Sequence, residues 1–268
     1  MLLAVDIGNS SISVGLFGDY AKDSDRKPEF VSKISADPCR TSDEYSGLIL
    51  SIFTVNRHDI AQVDSVIVSS VVPQLTDVIK NALGKLTEAK INILRPGVKT
   101  GLNIRTDDPS ELGSDIVANS VFAVSHYPLP AIIVDAGTAT SVFAIDEGKS
   151  VIGGCIIPGL RVSLDALKNS TSQLPYVSLS LPPVAIGKNT AECIRSGIVL
   201  GHAMAVDGMI EKFRSEMKCE NITVIATGGF AEYIMAASSH KIIHEPDMTL
   251  KGLCEIRSLY AKKMQKNQ

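Results

Sequence analysis

Tryptophan is absent from the 268 residues, and 7 Phe and 6 Tyr make up the remaining aromatics. So few rings offer no platform on which bases of single-stranded nucleic acid could stack. A basic excess is missing too: 26 Lys and Arg stand against 29 Asp and Glu, for a formal net charge of −3. That balance lacks the electrostatic footprint of a protein built for nucleic acid or an anionic membrane. The five cysteines, at positions 39, 155, 193, 219 and 254, are scattered and odd in number. They suit neither a disulfide frame nor a zinc site, and they indicate the reduced thiols of a cytoplasmic protein. The five histidines are isolated from one another in sequence and suggest no ligand set. Apolar runs are interrupted by Asp, Gly or Pro before reaching membrane-spanning length. The first run, Leu2 to Val5, is broken by Asp6 and has no basic flank, so it reads as a strand rather than a signal peptide.

Several catalytic signatures are missing as well. There is no G-x-x-x-x-G-K-[S/T], which excludes a P-loop enzyme, and no G-x-G-x-x-G after a strand, which disfavours a dinucleotide-binding dehydrogenase. The H-R-D and D-F-G set of the protein kinases and the G-x-S-x-G of serine hydrolases are equally lacking.

What is present is a repeated loop. Val5-Asp6-Ile7-Gly8-Asn9-Ser10-Ser11 and Val134-Asp135-Ala136-Gly137-Thr138-Ala139-Thr140 share the pattern V-D-x-G-[N/T]-x-[S/T], each copy between apolar strands. Gly permits a sharp turn and close approach of a ligand. Successive N–H groups in such a turn form an anion-binding nest. The Asp ending each first strand would repel phosphate unless a cation or its water shell lies between. One copy alone is ordinary hairpin chemistry. Two copies half a chain apart predict a duplicated domain with paired phosphate-binding hairpins.

A hydrophobic content of 45% is ample for a sizeable core in one large domain or two moderate ones. The pattern predicts strands at Ile12–Phe17 and Phe30–Ile34, a polar turn over residues 19–27, and a helix over 42–53 capped by Thr41 or Ser42. Val66 to Val72 reads as a buried central strand closed by Pro73, with a helix over 75–86 and a strand over 91–94. Gly113-Ser114-Asp115 opens an apolar helix reaching His126. The boundary falls between Ser110 and Pro130, giving domains 1–118 and 119–268 with an α/β fold and a cleft between the halves. In the second half, Gly187-Lys188-Asn189-Thr190 opens a long helix to Met217, with Asn189 and Glu192 spaced as a capping box. Its Gly197, Gly201, Ala205 and Gly208 form a small-residue stripe that would let another backbone come close. A third glycine turn, Thr227-Gly228-Gly229, follows a strand and suits the flat face of a nucleoside.

Paired hairpins suggest an ATP polyphosphate held between half-domains. Phosphoryl transfer then needs positioning, charge neutralisation and a carboxylate to take the acceptor's proton. Asp115 fits that role, and it fits a helix N-cap as well.

The ordered set V-D-I-G-N-S, G-S-D, D-A-G-T-A-T, G-G-x-I-x-P-G, G-K-N-T and T-G-G resembles that of the type III pantothenate kinases, from Asp6 to about Leu253. Ser69-Ser70-Val71-Val72-Pro73 and Leu250-Lys251-Gly252-Leu253 also resemble segments of that family. The resemblance implies duplicated ribonuclease H-like domains of the actin-like ATPase type and ATP-dependent phosphorylation of pantothenate, the entry to coenzyme A. It implies that Asp6, Ile7, Gly8, Asn9, Ser10, Ser11, Ile12 and Ser13 hold the ATP phosphates, with Asp6 serving Mg²⁺ or another divalent cation through water. Thr138 would contact ATP, and Asp135 would bind a monovalent cation, K⁺ or NH₄⁺. Gly113, Ser114, Asp115, Ile116 and Thr190 would bind pantothenate, with Asp115 as general base. A cytoplasmic homodimer is implied, the partner subunit helping to form the acceptor pocket. The family usually reads G-A-D-R where this chain has Gly113-Ser114-Asp115-Ile116. The missing cation leaves Arg105, Arg161 and Lys188 as replacements. It keeps two rival readings open: a kinase of another small hydroxylated acid or sugar, and a nucleotide-binding regulatory protein of the same fold.

Overall fold

The computed structural model describes residues 1–20 and 27–266, so most of the polar turn expected over 19–27 lies outside the described residues. The chain divides into two compact units. The first contains β1 (Leu2–Ile7), β2 (Ser11–Phe17), β3 (Phe30–Ser35), α1 (Ser42–Val55), β4 (Ser65–Ser70), α2 (Pro73–Gly84) and β5 (Lys90–Ile93). Its sheet runs β3-β2-β1-β4-β5, with β1 antiparallel to β2 and parallel to β4. After β6 (Asn103–Ile104), which belongs to the other sheet, α3 (Ser114–His126) returns to the first unit up to Ser125.

Both faces of the first sheet are buried, which is why its strands read as continuous apolar runs. Leu3, Val5 and Ile7 pack with Tyr45, Ile49 and Phe53 of α1 and Leu75 and Ile79 of α2. Leu2 and Ala4 point the other way, to Ala118 and Val121 of α3 and to Leu250, Leu253 and Ile256 of α8 (Met248–Lys266). Thr41 is the cap of α1: its hydroxyl accepts from the Glu44 N–H at 3.3 Å, and Glu44 accepts from the Thr41 N–H at 2.7 Å. Pro73 is the first residue of α2, where its missing N–H leaves nothing unsatisfied. The strand before it accordingly ends at Ser70 rather than Val72.

The second unit repeats the plan. It contains β7 (Ala131–Ala136), β8 (Ala139–Ile145), β9 (Ser150–Pro158), α4 (Leu160–Ser170), α5 (Thr190–Arg195), α6 (Gly201–Met217), β10 (Thr223–Thr227), α7 (Ala231–Ala237) and β11 (Ile243–His244). Its sheet runs β11-β10-β7-β8-β9-β6. Each sheet thus orders its own half's strands third, second, first, fourth, fifth, and β6 extends the second along β9. Val206 and Ile210 of α6 and Ala231 and Ile234 of α7 pack on Ile132, Val134, Ala136 and Val142.

Two expectations are corrected. A single cut at 118/119 does not describe the division: residues 107–125 and those from Asp247 onward belong to the first unit, and 103–106 to the second. The reason is burial, since α8 inserts Leu250, Leu253, Cys254 and Ile256 under the first sheet. Among the described residues, the glycines of the stripe have open space beside them: a Cβ added at Gly197, Gly201 or Gly208 would meet no atom within 4 Å outside the helix's own nearby backbone. The expected long helix is present: α5 and α6 join through a π-helical turn, Ser196–Leu200, into one helix from Thr190 to Met217. That helix is long and apolar enough to cross a membrane by length and composition. Its buried face, His202, Ala203, Val206 and Ile210, lies within the unit instead.

Candidate active site

The first hairpin closes on the pair Ile7 and Ile12, with Asp6 opposite Ser13. The Gly8 N–H donates to the Ser11 carbonyl at 3.0 Å, and a Cβ on Gly8 would sit 3.2 Å from that oxygen. Asn9 and Ser10 are exposed at the tip. The Ala36 N–H, just past β3, donates to the Ser10 carbonyl at 3.2 Å and holds the tip from the side.

On the other side of β1 lies β4, with Ser69 opposite Asp6 and Ser70 opposite Ile7. The Ser69 hydroxyl is 2.9 Å from the Ser114 hydroxyl, and the Ser70 N–H donates to Ser114 Oγ at 3.1 Å. The start of α3 is therefore pinned beside the strand that carries Asp6. The first helical bond of α3 runs from the Val117 N–H to the Gly113 carbonyl at 3.1 Å. Asp115 is therefore a residue of the first turn and not the N-cap. Its Oδ1 accepts from the Ile116 N–H at 2.8 Å. A Cβ on Gly113 would lie 2.4 Å from that same oxygen, so the glycine is what leaves room for the carboxylate. Burial pushes the Asp115 carboxyl above the usual carboxylate range, against the lowering by the Ile116 and Asp115 N–H groups. A desolvated carboxylate with a raised pKa is a better proton acceptor than an exposed one.

The second hairpin is tighter. It closes on Ala136 and Thr140, with Asp135 opposite Ser141, and the Gly137 N–H donates to the Ala139 carbonyl at 3.0 Å. Thr138 is exposed at the tip, and its carbonyl accepts from the Gly159 N–H at 3.1 Å. Thr140 is buried, and its hydroxyl is 2.9 Å from His202 Nε2 of α6. Gly228, at φ +91°, presses against the Ala136 backbone, where a Cβ would approach to 2.6 Å. The T-G-G turn thus has a packing reason of its own.

Among the described residues no group of three or more His, Cys, Asp or Glu could hold a metal ion. An ion caged by protein alone does not fit these residues. One carboxylate at a strand end beside a glycine turn does fit an ion held mainly by a ligand's phosphates and water.

The family model for type III pantothenate kinase matches residues 2–212. The type III pantothenate kinase of Rubrobacter xylanophilus is 39% identical over 98% of this chain and 99% of its own length. That of Shouchella clausii is 39% identical over 94% and 97%. The chain belongs to the type III pantothenate kinases. It is an enzyme of ATP-dependent pantothenate phosphorylation, in coenzyme A biosynthesis. Solved structures agree on the fold. A protein named as a Baf family transcriptional activator from Campylobacter jejuni superposes with TM-score 0.62 at 16% identity, over 97% of this chain and 99% of that one. The activator of the 2-hydroxyisocaproyl-CoA dehydratase from Clostridium difficile, solved with bound ADPNP, gives TM-score 0.54 at 12% identity, over 100% and 97%.

In this pantothenate kinase the first unit brings together the hairpin Asp6–Ser13 and the loop Gly113–Ile116, through Ser69 and Ser114. Asp135 and Thr138 share the second hairpin. Thr190, exposed, begins α5 of the second unit just after Asn189, whose side chain accepts from the Glu192 N–H at 3.0 Å. The expected box is shifted by one residue, because Glu192 accepts from the Lys188 N–H at 2.8 Å. Of the candidate cations, Arg105 is paired with Asp146 at 3.3 Å, and Arg161 lies 3.5 Å from Asp165. Sequence reasoning misses Ser69 and Ser70 as site residues. Their signals there are two hydroxyls closing an otherwise apolar strand and the resemblance of Ser69 to Pro73 to a family segment.

Proposed function

We propose that the kinase holds the ATP phosphates on the first hairpin, Asp6 to Ser13, and that Asp115 is the base for the acceptor hydroxyl. The pantothenate hydroxyl gives its proton to Asp115 while its oxygen attacks the γ-phosphorus, and the bond between that phosphorus and the departing ADP oxygen breaks. Gly113, Ser114 and Ile116 bind the acceptor in the first unit; from the second unit, Thr190 is assigned to pantothenate and Thr138 to the nucleotide. Mg²⁺ near Asp6 and K⁺ or NH₄⁺ near Asp135 supply charge neutralisation when bound. The observation that carries this reading is the hydrogen bond of Ser69, the strand neighbour of Asp6, to Ser114. It sets a half-buried carboxylate and a phosphate-type hairpin at one end of one sheet.

The same reading includes a homodimer in the cytoplasm, acting on ATP and pantothenate and binding neither nucleic acid nor membrane. The near-neutral charge balance supports the last point. The dimer is supported by apolar residues left uncovered on the second unit: Ile186 is 85% exposed, Ile156 67% and Met204 64%. Met204 adjoins the bare glycine stripe of the long helix. Where such side chains are contiguous, exposed apolar surface marks an interaction site.

Asp115→Asn tests the base. Phosphoryl transfer, followed as ADP release with pantothenate, should fall by ~10²–10⁴-fold while Mg·ATP affinity holds. Turnover within about threefold of wild type, far short of that loss, would remove Asp115 from the role.

A further inference from the structure

Ser114 turns its hydroxyl away from its own helix. The Gly113 carbonyl accepts the first helical bond, so Gly113 is the N-cap position and Ser114 is the first residue inside α3. Here the Ser114 oxygen leaves its helix and meets three groups of β4: Ser69 Oγ at 2.9 Å, the Ser70 N–H at 3.1 Å and the Ser70 carbonyl at 3.2 Å. One proton and two lone pairs are thereby fully engaged. Ser69 is completely buried, so its own hydroxyl has no water to turn to. The Ser70 hydroxyl is committed elsewhere: it accepts from the Thr76 hydroxyl at 2.8 Å and the Val72 N–H at 3.2 Å. The end of β4 is thus tied to α2 by Ser70 and to α3 by Ser114, while Ser69 lies beside Asp6 in the sheet.

We propose that Ser114 is a positioning residue for phosphoryl transfer, clamping the first turn of α3 to the end of β4 and so fixing Asp115 relative to Asp6. The inference rests on Asp115 being the base. Gly113 and Ser114 act together, the glycine leaving space for the carboxylate and the serine fixing where that space is. Ser69 is the receiving half of the clamp and needs its hydroxyl for the same reason.

The test is steady-state ADP release with Mg·ATP and pantothenate, together with thermal melting, on the full-length enzyme. Ser114→Ala should lower kcat by ~10–100-fold, the loss a displacement on the order of 1 Å brings. KM for Mg·ATP should stay within about threefold, since the lost interaction belongs to the transition state, whereas KM for pantothenate also reads any direct contact of Ser114 with the acceptor. Ser114→Thr, which keeps the hydroxyl, should recover most of kcat, and Ser69→Ala, which removes one of three contacts, should lose less than Ser114→Ala. A purely structural serine would give a different pattern: Tm falls in Ser114→Ala, while kcat stays within about twofold, short of any positioning effect. That pattern overturns the proposal, and so does a Thr variant that regains Tm without rate. If Ser114→Ala does not fold, Ser69→Ala decides: reduced kcat at constant KM supports the clamp, and unchanged kcat ends it. Asp115→Asn run in parallel separates the two ideas. An active Asp115→Asn enzyme refutes the base itself, whereas an inert one beside an unimpaired Ser114→Ala refutes only the clamp.

Discussion

The two hairpins share a sequence pattern but not a shape. The first turns over one more residue: Asp6 pairs with Ser13, seven positions on, whereas Asp135 pairs with Ser141, six positions on. The longer loop exposes Asn9 and Ser10 and is touched from the side by the Ala36 N–H. The shorter loop is crowded, since a Cβ on Gly159 would come within 2.4 Å of the Gly137 and Thr138 carbonyls. The neighbouring strands differ in the same sense. Ser69, beside Asp6, spends its hydroxyl on α3, whereas Thr227, beside Asp135, leads into a glycine turn pressed on the hairpin's own strand. Duplication kept the backbone scaffold. The surroundings of the two carboxylates diverged through one loop residue and the side chains of the adjacent strand.

The largest test of that difference replaces the twin carboxylates. Asp6→Ala should weaken Mg·ATP binding by ~10–100-fold, the usual loss when a group holding a metal through its outer shell is removed. Pantothenate binding should change far less, and calorimetry with each ligand reads both. Asp135→Ala should instead abolish stimulation by K⁺ or NH₄⁺ over Na⁺, leaving a slow residual rate. A tetramethylammonium salt at equal ionic strength controls for screening. If both variants lose Mg·ATP equally, the hairpins have not diverged in role.

Glycines give a second contrast. A Cβ on Gly252 of α8 would meet the Ala118 carbonyl of α3 at 2.0 Å. Gly252→Ala should therefore destabilise by about 1–3 kcal/mol or more in urea unfolding, as overpacking does. Gly201 of α6 has nothing within 4 Å. Gly201→Ala should stabilise an isolated subunit by ~0.5–1 kcal/mol, because alanine suits a helix interior better. If the stripe is a dimer face, the same variant should weaken self-association, which sedimentation would detect. Equal effects at both glycines would show that the stripe is packed like α8.

The smallest effects are in pH dependence, and they have opposite signs in the two units. Burial raises the Asp115 pKa, so its contribution to stability is complete below the unfolded carboxylate value and is lost as pH rises through the folded one. Asp115→Asn should melt higher than wild type at neutral pH, with the gap closing in acid. The acid limb of kcat/KM should lie above the usual carboxylate range, activity rising as Asp115 loses its proton. His202 is shifted the other way: burial pushes its pKa down and keeps it neutral against Thr140. Its contribution is present above the unfolded value of about 6.5 and is lost as pH falls, so His202→Gln, which cannot titrate, should flatten the acid side of the melting profile.

Ile116→Arg adds a check on the acceptor loop. Ile116 is half-buried in the first turn of α3 and belongs to neither core of the first unit. Restoring the family's cation should lower KM for pantothenate in steady-state assays if the carboxylate of the substrate lies there.

Much of this was legible from local chemistry. The hairpins, the alternating strands, the Thr41 box and the apolar helix after Gly113 depend on residues within a few positions of one another, where turn preference and side-chain period decide the outcome. Asp115 was legible as a carboxylate of interest but not as a partly desolvated one, since desolvation depends on what surrounds it. Nor could sequence distinguish Gly252, jammed against Ala118, from Gly201, facing nothing, because both sit in apolar helical contexts.

The sequence by itself determined the element types, the duplication and the family, because each rests on local propensity or on ordered motifs. Tertiary structure alone decided that α8 completes the first unit, that Ser69 receives Ser114, and that the two V-D-x-G loops differ in length and crowding. Those outcomes depend on contacts between residues far apart in the chain: the Ser69–Ser114 bond spans 45 positions, and the bond from Ser258 to the Tyr20 carbonyl spans 238. Burial and hydrogen-bond satisfaction select such contacts among many alternatives of equal local propensity.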